Sequence, residues 1–310
     1  MGIINWLRGK PAAAAGAFTD GDFLRIPTRN YYGWFSASPN GRYAITWRDS
    51  NDEGTQGGAR PSGMGRYFLI DGTAIIAEGR VERPNDGKVA DNGTFVLNDW
   101  GFSGDLAGVF HAFRADGSRI LAQDFTANLY NNGLSADGHL AVCQTCNSSS
   151  GDASVLALFD LTAGTELARW IPESGWAQSY IFPDDGQTVQ LCYLGGVSFS
   201  YALDGTFIDR ERWIAWSLTQ GSLSVVNRLL DTSENQPTPG LANRLIAAID
   251  VALATTSDEH NRAWAYKMRG ICLEAAGSPR EALRCYDEAL KLNPKVGAKR
   301  RADALRKSTA

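Results

Sequence analysis

The chain has 310 residues, 44% hydrophobic and 21% charged, an ordinary balance for a globular protein, and its length predicts two domains. Its net charge of −4 is unevenly shared: acids dominate up to Trp213 and bases beyond it, which argues against nucleic acid as a ligand of the first part. No stretch is long and apolar enough for a membrane span, no cleavable signal is read, and five scattered cysteines without a disulfide framework fit a reducing cytoplasm.

Residues 1–17 read as an N-terminal segment and linker. Ile3, Ile4, Trp6 and Leu7 lie close to Arg8 and Lys10, which offers either a weak membrane-surface contact or simply a loose terminus. Gly2 invites myristoylation, but Trp6 stands where that motif needs Ser or Thr. The Ala-rich run Pro11 to Ala17 is a linker by composition.

Residues 18–212 carry a signature that recurs four times, an apolar strand running into an Asx-Gly turn and a second strand. The turns are Ser38 to Gly41, Ala90 to Gly93, Ser135 to Gly138 and Pro183 to Gly186, spaced roughly 45 to 50 residues apart, the period of a four-stranded propeller blade. Asp or Asn before Gly suits a tight hairpin because both tolerate positive φ. A second hairpin follows in each unit, at Tyr67 to Ile76, Val109 to Leu121, Val155 to Leu167 and Val197 to Ile208. Two hairpins per unit predict about sixteen strands.

From about Tyr31 to Arg212 the pattern resembles WD40-like β-propellers whose innermost strand ends in a Ser-Pro-Asp-Gly turn, although the Gly-His and Trp-Asp dipeptides of true WD40 repeats are missing. The resemblance implies a mainly β, small propeller-like domain of about four blades. Either Phe18 to Thr28 supplies a closing strand, or the array is open and covered by the C-terminal helices or a second chain. A β-sandwich of the same hairpins is the alternative architecture.

Residues 213–310 change to helical spacing. Ala263 to Pro294 resembles a tetratricopeptide repeat through Tyr266, Gly270, Leu273, Gly277, Ala282, Tyr286, Ala289 and Pro294. Gly270 and Ala282 let two antiparallel helices approach, Tyr286 fills the seam and Pro294 ends the second helix. Arg269 departs from the family, which places an apolar residue there. Ser217 to Leu230 and Leu241 to Thr255 are expected to form a degenerate second pair, and Ala298 to Lys307 a polar closing helix. The whole module is expected to dock on the propeller.

No catalytic constellation emerges. His111, His139 and His260 share no motif, no phosphate-binding glycine loop precedes a helix, and Cys143 with Cys146 is a lone pair short of a zinc site. No cofactor, metal or catalytic residue is therefore expected.

Propeller connectivity gathers the links after second and fourth strands on one face. Those links carry Tyr31, Tyr32, Trp34, Trp100 and Trp176 beside Asp49, Asp52, Asp99 and Asp105, a mixture that suits a protein, peptide or sugar surface. The resemblance to the tetratricopeptide family implies a second groove lined by Trp264, Lys267, Ile271 and Glu274. Family members that clamp a carboxylate pair Lys with Asn four residues on; here Ile271 follows Lys267, so an apolar contact is expected. Tyr32, Trp34, Asp49, Asp99, Trp100, Trp176, Trp264, Lys267 and Ile271 are the candidate partner-binding residues. The sequence reads as a non-enzymatic cytoplasmic scaffold for a protein or peptide, of a bacterial style. A propeller hydrolase with an acidic loop-face site and an immunity-type inhibitor are the alternatives.

Overall fold

A computed structural model describes residues 17–51, 53–102 and 106–309. The N-terminal segment, with its two readings as a membrane-surface contact or a loose terminus, and most of the linker lie outside these residues, as do Asp52 and Asp105. Contacts divide the chain between Ile208 and Asp209 into a strand unit and a helical unit.

The strand unit contains four antiparallel sheets. Sheet 1 runs in the order β1 (Phe18–Asp20), β2 (Phe23–Ile26), β3 (Tyr31–Ala37), β4 (Tyr43–Arg48), β5 (Gly65–Asp71) and β6 (Ala74–Val81). Sheet 2 holds β7 (Pro84–Val89), β8 (Phe95–Asp99), β9 (Gly108–Phe113) and β10 (Arg119–Phe125). Sheet 3 holds β11 (Leu129–Leu134), β12 (Leu140–Thr145), β13 (Leu156–Asp160) and β14 (Thr165–Trp170). Sheet 4 holds β15 (Ser179–Ile181), β16 (Thr188–Cys192) and β17 (Ser198–Ala202). The first strands of successive repeats pack on one another, β3 on β7, β7 on β11 and β11 on β15, as in a propeller. Four separate meanders replace the two facing sheets of a sandwich.

Two expectations need correction. Phe18 to Thr28 does not complete a final blade; β1 and β2 add to the free edge of β3 and widen sheet 1. In the fourth repeat the last expected strand is reduced to an isolated bridge, Tyr201 to Phe207.

The apolar runs follow from burial on both faces. Neighbouring residues of one strand enter different cores: Leu97 joins Trp47, Tyr67 and Phe113 between sheets 1 and 2, while Val96 joins Phe110, Ala141 and Phe159 between sheets 2 and 3. Likewise Cys143 faces the second core, and Val142 packs with Leu158, Leu191 and Tyr201 in the third.

The Asx-Gly turns do more than reverse the chain. Gly41, Gly93, Gly138 and Gly186 have φ from +61° to +83°, a region costly for any residue with a Cβ. Ser135 Oγ donates to Asp137 Oδ1 at 2.6 Å and accepts from the backbone N–H of Leu140 at 2.9 Å, which closes the turn. Successive turns are also stitched together. The Asn40 N–H donates to Asp91 Oδ1 at 2.8 Å, the Asp91 N–H to Ala136 O at 2.8 Å, and Asn92 Nδ2 to Asp137 O at 2.6 Å.

The helical unit contains α1 (Arg210–Thr219), α2 (Leu223–Thr232), α3 (Pro239–Thr255), α4 (Glu259–Ala275), α5 (Pro279–Leu292) and α6 (Lys299–Thr309). Ser217 to Leu230 is not one helix: Gly221, at φ +69°, breaks it into α1 and α2. Thr238 and Asp258 cap α3 and α4, accepting from the N–H groups of Leu241 and Asn261, and Pro239 opens α3 at a position where its missing N–H costs nothing. Each helix from α2 to α6 packs on the next. Arg269 is accommodated by bridging two neighbours of α4, with its Nε 2.8 Å from the Asp250 carboxylate of α3 and its Nη1 donating to Cys285 Sγ of α5 at 3.3 Å. Glu274 accepts from the Tyr286 hydroxyl and from Arg301 Nη1 at 3.0 Å, tying α4 to both α5 and α6.

The tightest point of this unit is Gly270, where a Cβ would lie 2.4 Å from the Tyr286 ring. Gly270→Ala is therefore expected to destabilise the helical unit by about 1–3 kcal/mol, read as an earlier loss of helical circular dichroism in urea. An unchanged transition would show that the α4–α5 seam can spread without cost.

Candidate interaction surfaces

The link between β4 and β5 is ordered around one cation. The Arg60 side chain has no exposed surface. Its Nε donates to Gly63 O at 2.7 Å, its Nη1 to Asp49 Oδ1 at 2.8 Å and to Gly58 O at 3.0 Å, and its Nη2 to Glu82 O at 2.8 Å and to Asp49 O. A buried guanidinium is tolerated only with this degree of pairing. Asp49 is fixed in turn, since its carboxylate also accepts from the Gly58 N–H at 2.8 Å and faces Arg83 Nε at 3.5 Å.

Asp99 organises the next link from the inside. It is 3% exposed and accepts from the backbone N–H groups of Glu82 at 2.9 Å, Arg83 at 2.7 Å and Gly101 at 2.9 Å, with His111 Nε2 at 3.6 Å. Burial raises its pKa, but His111 and the three amides outweigh that and hold the carboxyl below the ordinary range. Trp100 is half-buried, and its Nε1 donates to Leu129 O at 2.8 Å, pinning sheet 2 to sheet 3. Both residues were expected on a binding surface; Asp99 is turned inward, and Trp100 is half-buried with its indole N–H engaged within the strand unit.

The exposed chemistry lies where sheet 1 overhangs. Strand register places Asp20, Phe23, Trp34, Trp47 and Tyr67 in one cross-strand row, and Phe18, Arg25 and Tyr32 in the next row of the same face. β7 of sheet 2 packs against β3, β4 and β5, so Trp47 and Tyr67 are buried. Among the described residues the cover ends towards the added strands: Phe18 is 38% exposed, Tyr32 42% and Trp34 50%. Phe23 sits between Tyr32 and Trp34, with ring centroids at 4.6 and 4.2 Å. On the opposite face Leu24, Ile26 and Tyr31 are buried.

At the step between covered and uncovered rings there is a cleft of about 290 Å³, lined among others by Phe23, Tyr32, Trp34, Trp47, Asp49 and Asn85. Three expected residues, Tyr32, Trp34 and Asp49, thus come together. Phe23, Trp47 and Asn85 were missed; the alternation of Phe23 with Leu24 and Ile26 in a hairpin facing β3 was the available signal for the first. Trp176 belongs to a second exposed patch, packed on Tyr130 with centroids 5.1 Å apart.

In the helical unit Trp264 and Lys267 are half-buried, whereas Ile271 is 3% exposed and belongs to the interior rather than to a groove open to a peptide. Glu274 is engaged as described above. Among the described residues no group of three or more His, Cys, Asp or Glu is arranged to hold a metal ion, and no helix is long and apolar enough to cross a membrane.

Comparison with known proteins places the tetratricopeptide repeat family model on residues 263–296, which cover most of α4, all of α5 and the turn after it. No curated protein matches the chain. Among solved structures, that of Hsv2 from Kluyvelomyces marxianus is similar over 62% of this chain and 58% of its own, at 10% identity and a TM-score of 0.37. The C-terminal WD40 domain of Sif2 is similar over 59% of this chain and 43% of its own, at 13% identity and a TM-score of 0.33. The chain thus spans less than two thirds of either structure.

Asp99→Ala leaves three amides without an acceptor and is expected to cost about 3 kcal/mol at pH 7. Because the folded-state pKa is depressed, the wild-type contribution is present above the unfolded carboxyl pKa of about 4 and is lost as pH falls through the lower folded value. Guanidinium denaturation at pH 7 and pH 3 should therefore show a gap between wild type and variant that narrows in acid. An equal gap at both values would contradict this role.

Proposed function

We propose that this protein is a non-enzymatic interaction scaffold that holds a protein partner through the aromatic cleft of its strand unit, with the helical unit as a second interaction module. The observation that carries this reading is the uncovered face of β1 to β3, where Phe18, Phe23, Tyr32 and Trp34 stand together beside a carboxylate locked in place by Arg60. Exposed aromatic clusters of this kind supply the central anchors of protein interfaces. The loop-face carboxylates favour binding over hydrolysis, since Asp49 is neutralised by two arginines and Asp99 is turned inward.

The remaining parts of the proposal follow from charge and thiols. Between residues 18 and 208 there are 22 Asp and Glu against 12 Lys and Arg, which disfavours nucleic acid and favours a basic partner. All five cysteines are free, in keeping with a cytoplasmic site. The tetratricopeptide match supports the second module, because such repeats present helix faces to peptides.

The test is affinity capture from the native cells with the tagged full-length chain, the double variant Tyr32→Ala/Trp34→Ala, and Trp264→Ala. Partners held by wild type are expected to be lost from the double variant, while Trp264→Ala loses at most a subset. Undiminished capture by the double variant would remove the cleft from the function.

A further inference from the structure

The strand unit is acid-rich, with 22 Asp and Glu against 12 Lys and Arg between residues 18 and 208, yet four of those bases, Arg29, Arg48, Arg66 and Arg80, gather at one corner of sheet 1. Strand register sets Arg48 opposite Arg66 and Arg66 opposite Arg80, so three arginines stand side by side in one row across β4, β5 and β6. The row lies on the face opposite the aromatic cleft, at the end of the sheet that carries the β4–β5 link. Like charges directly opposite one another on a sheet repel. Three in a row are a poor device for holding strands together and a good one for attracting an anion.

The fourth arginine marks a point of convergence. Arg29, in the turn between β2 and β3, reaches to Glu78 of β6, which shares the face of the arginine row. Its Nη2 lies 3.6 Å from Glu78 Oε2, and Arg66 Nη2 lies 4.0 Å from the same oxygen. Two guanidinium groups thus aim at one oxyanion position from beyond hydrogen-bonding distance. Rings beneath steady the row: Arg66 Cζ stands 4.9 Å from the Phe68 centroid and Arg48 Cζ 5.3 Å from that of Tyr31, while Arg48 Nη2 donates to Asn51 O at 3.2 Å. The cations themselves are open to a ligand, since the Arg29 side chain is 47% exposed, that of Arg66 21%, and Arg80 is exposed.

We infer that this corner binds a phosphate monoester carried by a phosphorylated serine or threonine of a protein partner, with Arg29, Arg66 and Arg80 as donors and Arg48 as a fixed charge behind them. Glu78 shows what a carboxylate achieves here: one of its oxygens faces two cations at long range. A phosphate monoester brings three terminal oxygens and a charge of about −1.5 to −2 at pH 7, and its edges match the donor forks of guanidinium groups. The surrounding charge selects the carrier. An anionic membrane or a polynucleotide would set many negative charges against the acid-rich unit, whereas one phosphate in a neutral or basic segment meets the arginines alone. The site lies apart from the aromatic cleft and does not depend on it.

The probe is a short alanine peptide with one phosphoserine and a lysine at each end, titrated into the full-length chain. Its comparators are the same peptide with serine or glutamate at that position, inorganic phosphate, and phosphatidylcholine vesicles containing a phosphatidylinositol phosphate. The phosphopeptide is expected to bind best. Arg66→Gln and Arg80→Gln should each weaken it about tenfold, the loss of one charged hydrogen bond. Glu78→Gln removes the competing carboxylate and should instead tighten binding. Should Arg66→Gln fail to fold by circular dichroism, Arg29→Gln, at an exposed turn, carries the same expectation. Tyr32→Ala/Trp34→Ala should bind the phosphopeptide as wild type, so this result and that of the cleft are read separately. Equal binding of the glutamate peptide, indifference to the arginine substitutions, or weaker binding by Glu78→Gln overturns the proposal. Vesicle binding that needs Arg66 and Arg80 while the peptide fails reassigns the corner to a membrane, and binding of inorganic phosphate alone reduces it to an ion site; either result also overturns the proposal.

Discussion

Coverage of sheet faces is the constraint on which the strand unit depends. Each repeat is a meander too narrow to hide its own apolar surface, so its inner strands send successive side chains into two different cores. Val96 and Leu97, or Val142 and Cys143, can both be apolar only because a sheet lies on either side. Sheet 1 is the exception. Two added strands carry it past the reach of β7, and the same cross-strand row that is core at Trp47 and Tyr67 becomes surface at Trp34 and Phe23. The exposed aromatics are thus a continuation of the core beyond its cover, and their rings are held by the register that orders the buried ones.

The two ends of this array are held by different chemistry. On the turn side, short polar hairpins bond to one another through backbone N–H groups and Asx side chains, which fixes the spacing of sheets 1 to 3. On the loop side the links are longer and need internal anchors. Arg60 gathers the carbonyls of Asp49, Gly58, Gly63 and Glu82, and Asp99 gathers the amides of Glu82, Arg83 and Gly101. A buried cation that collects acceptors and a buried anion that collects donors meet at residue 82. Removing either leaves its own partners unsatisfied, one of the two polar groups of the Glu82 backbone among them, so the two links are coupled through that residue.

This division explains what was legible in the sequence. The turns, the strand runs and the tetratricopeptide hairpin were readable because glycine at positive φ, apolar runs and small residues in a helix seam are local requirements. Residues whose role depends on a partner far along the chain were not. Asp99 resembles a loop-face acid until the links on either side of β7 and β8 are seen to aim their amides at it, and Trp100 resembles an exposed anchor until its indole reaches Leu129. Ile271 was placed by family position alone, which says which helix face it occupies but not what covers that face. Phe23 escaped because the strand bearing it was weighed only as one that could close the array, and Asn85 because its place in the cleft depends on the packing of β7 against sheet 1.

A sheet face and a strand edge that no described residue covers ordinarily invite self-association. Here the edge is poorly suited to it. β1 is only three residues long, ends in Asp20, and is followed by a turn containing Asp22, so a second copy would have to bring like charges together to add a strand. The acid excess of the strand unit opposes that approach in general. A basic ligand meets the opposite sign of the same field. The field that opposes the approach of a second acidic strand unit thus favours a basic ligand, a difference of sign set by the 22 acids and 12 bases between residues 18 and 208.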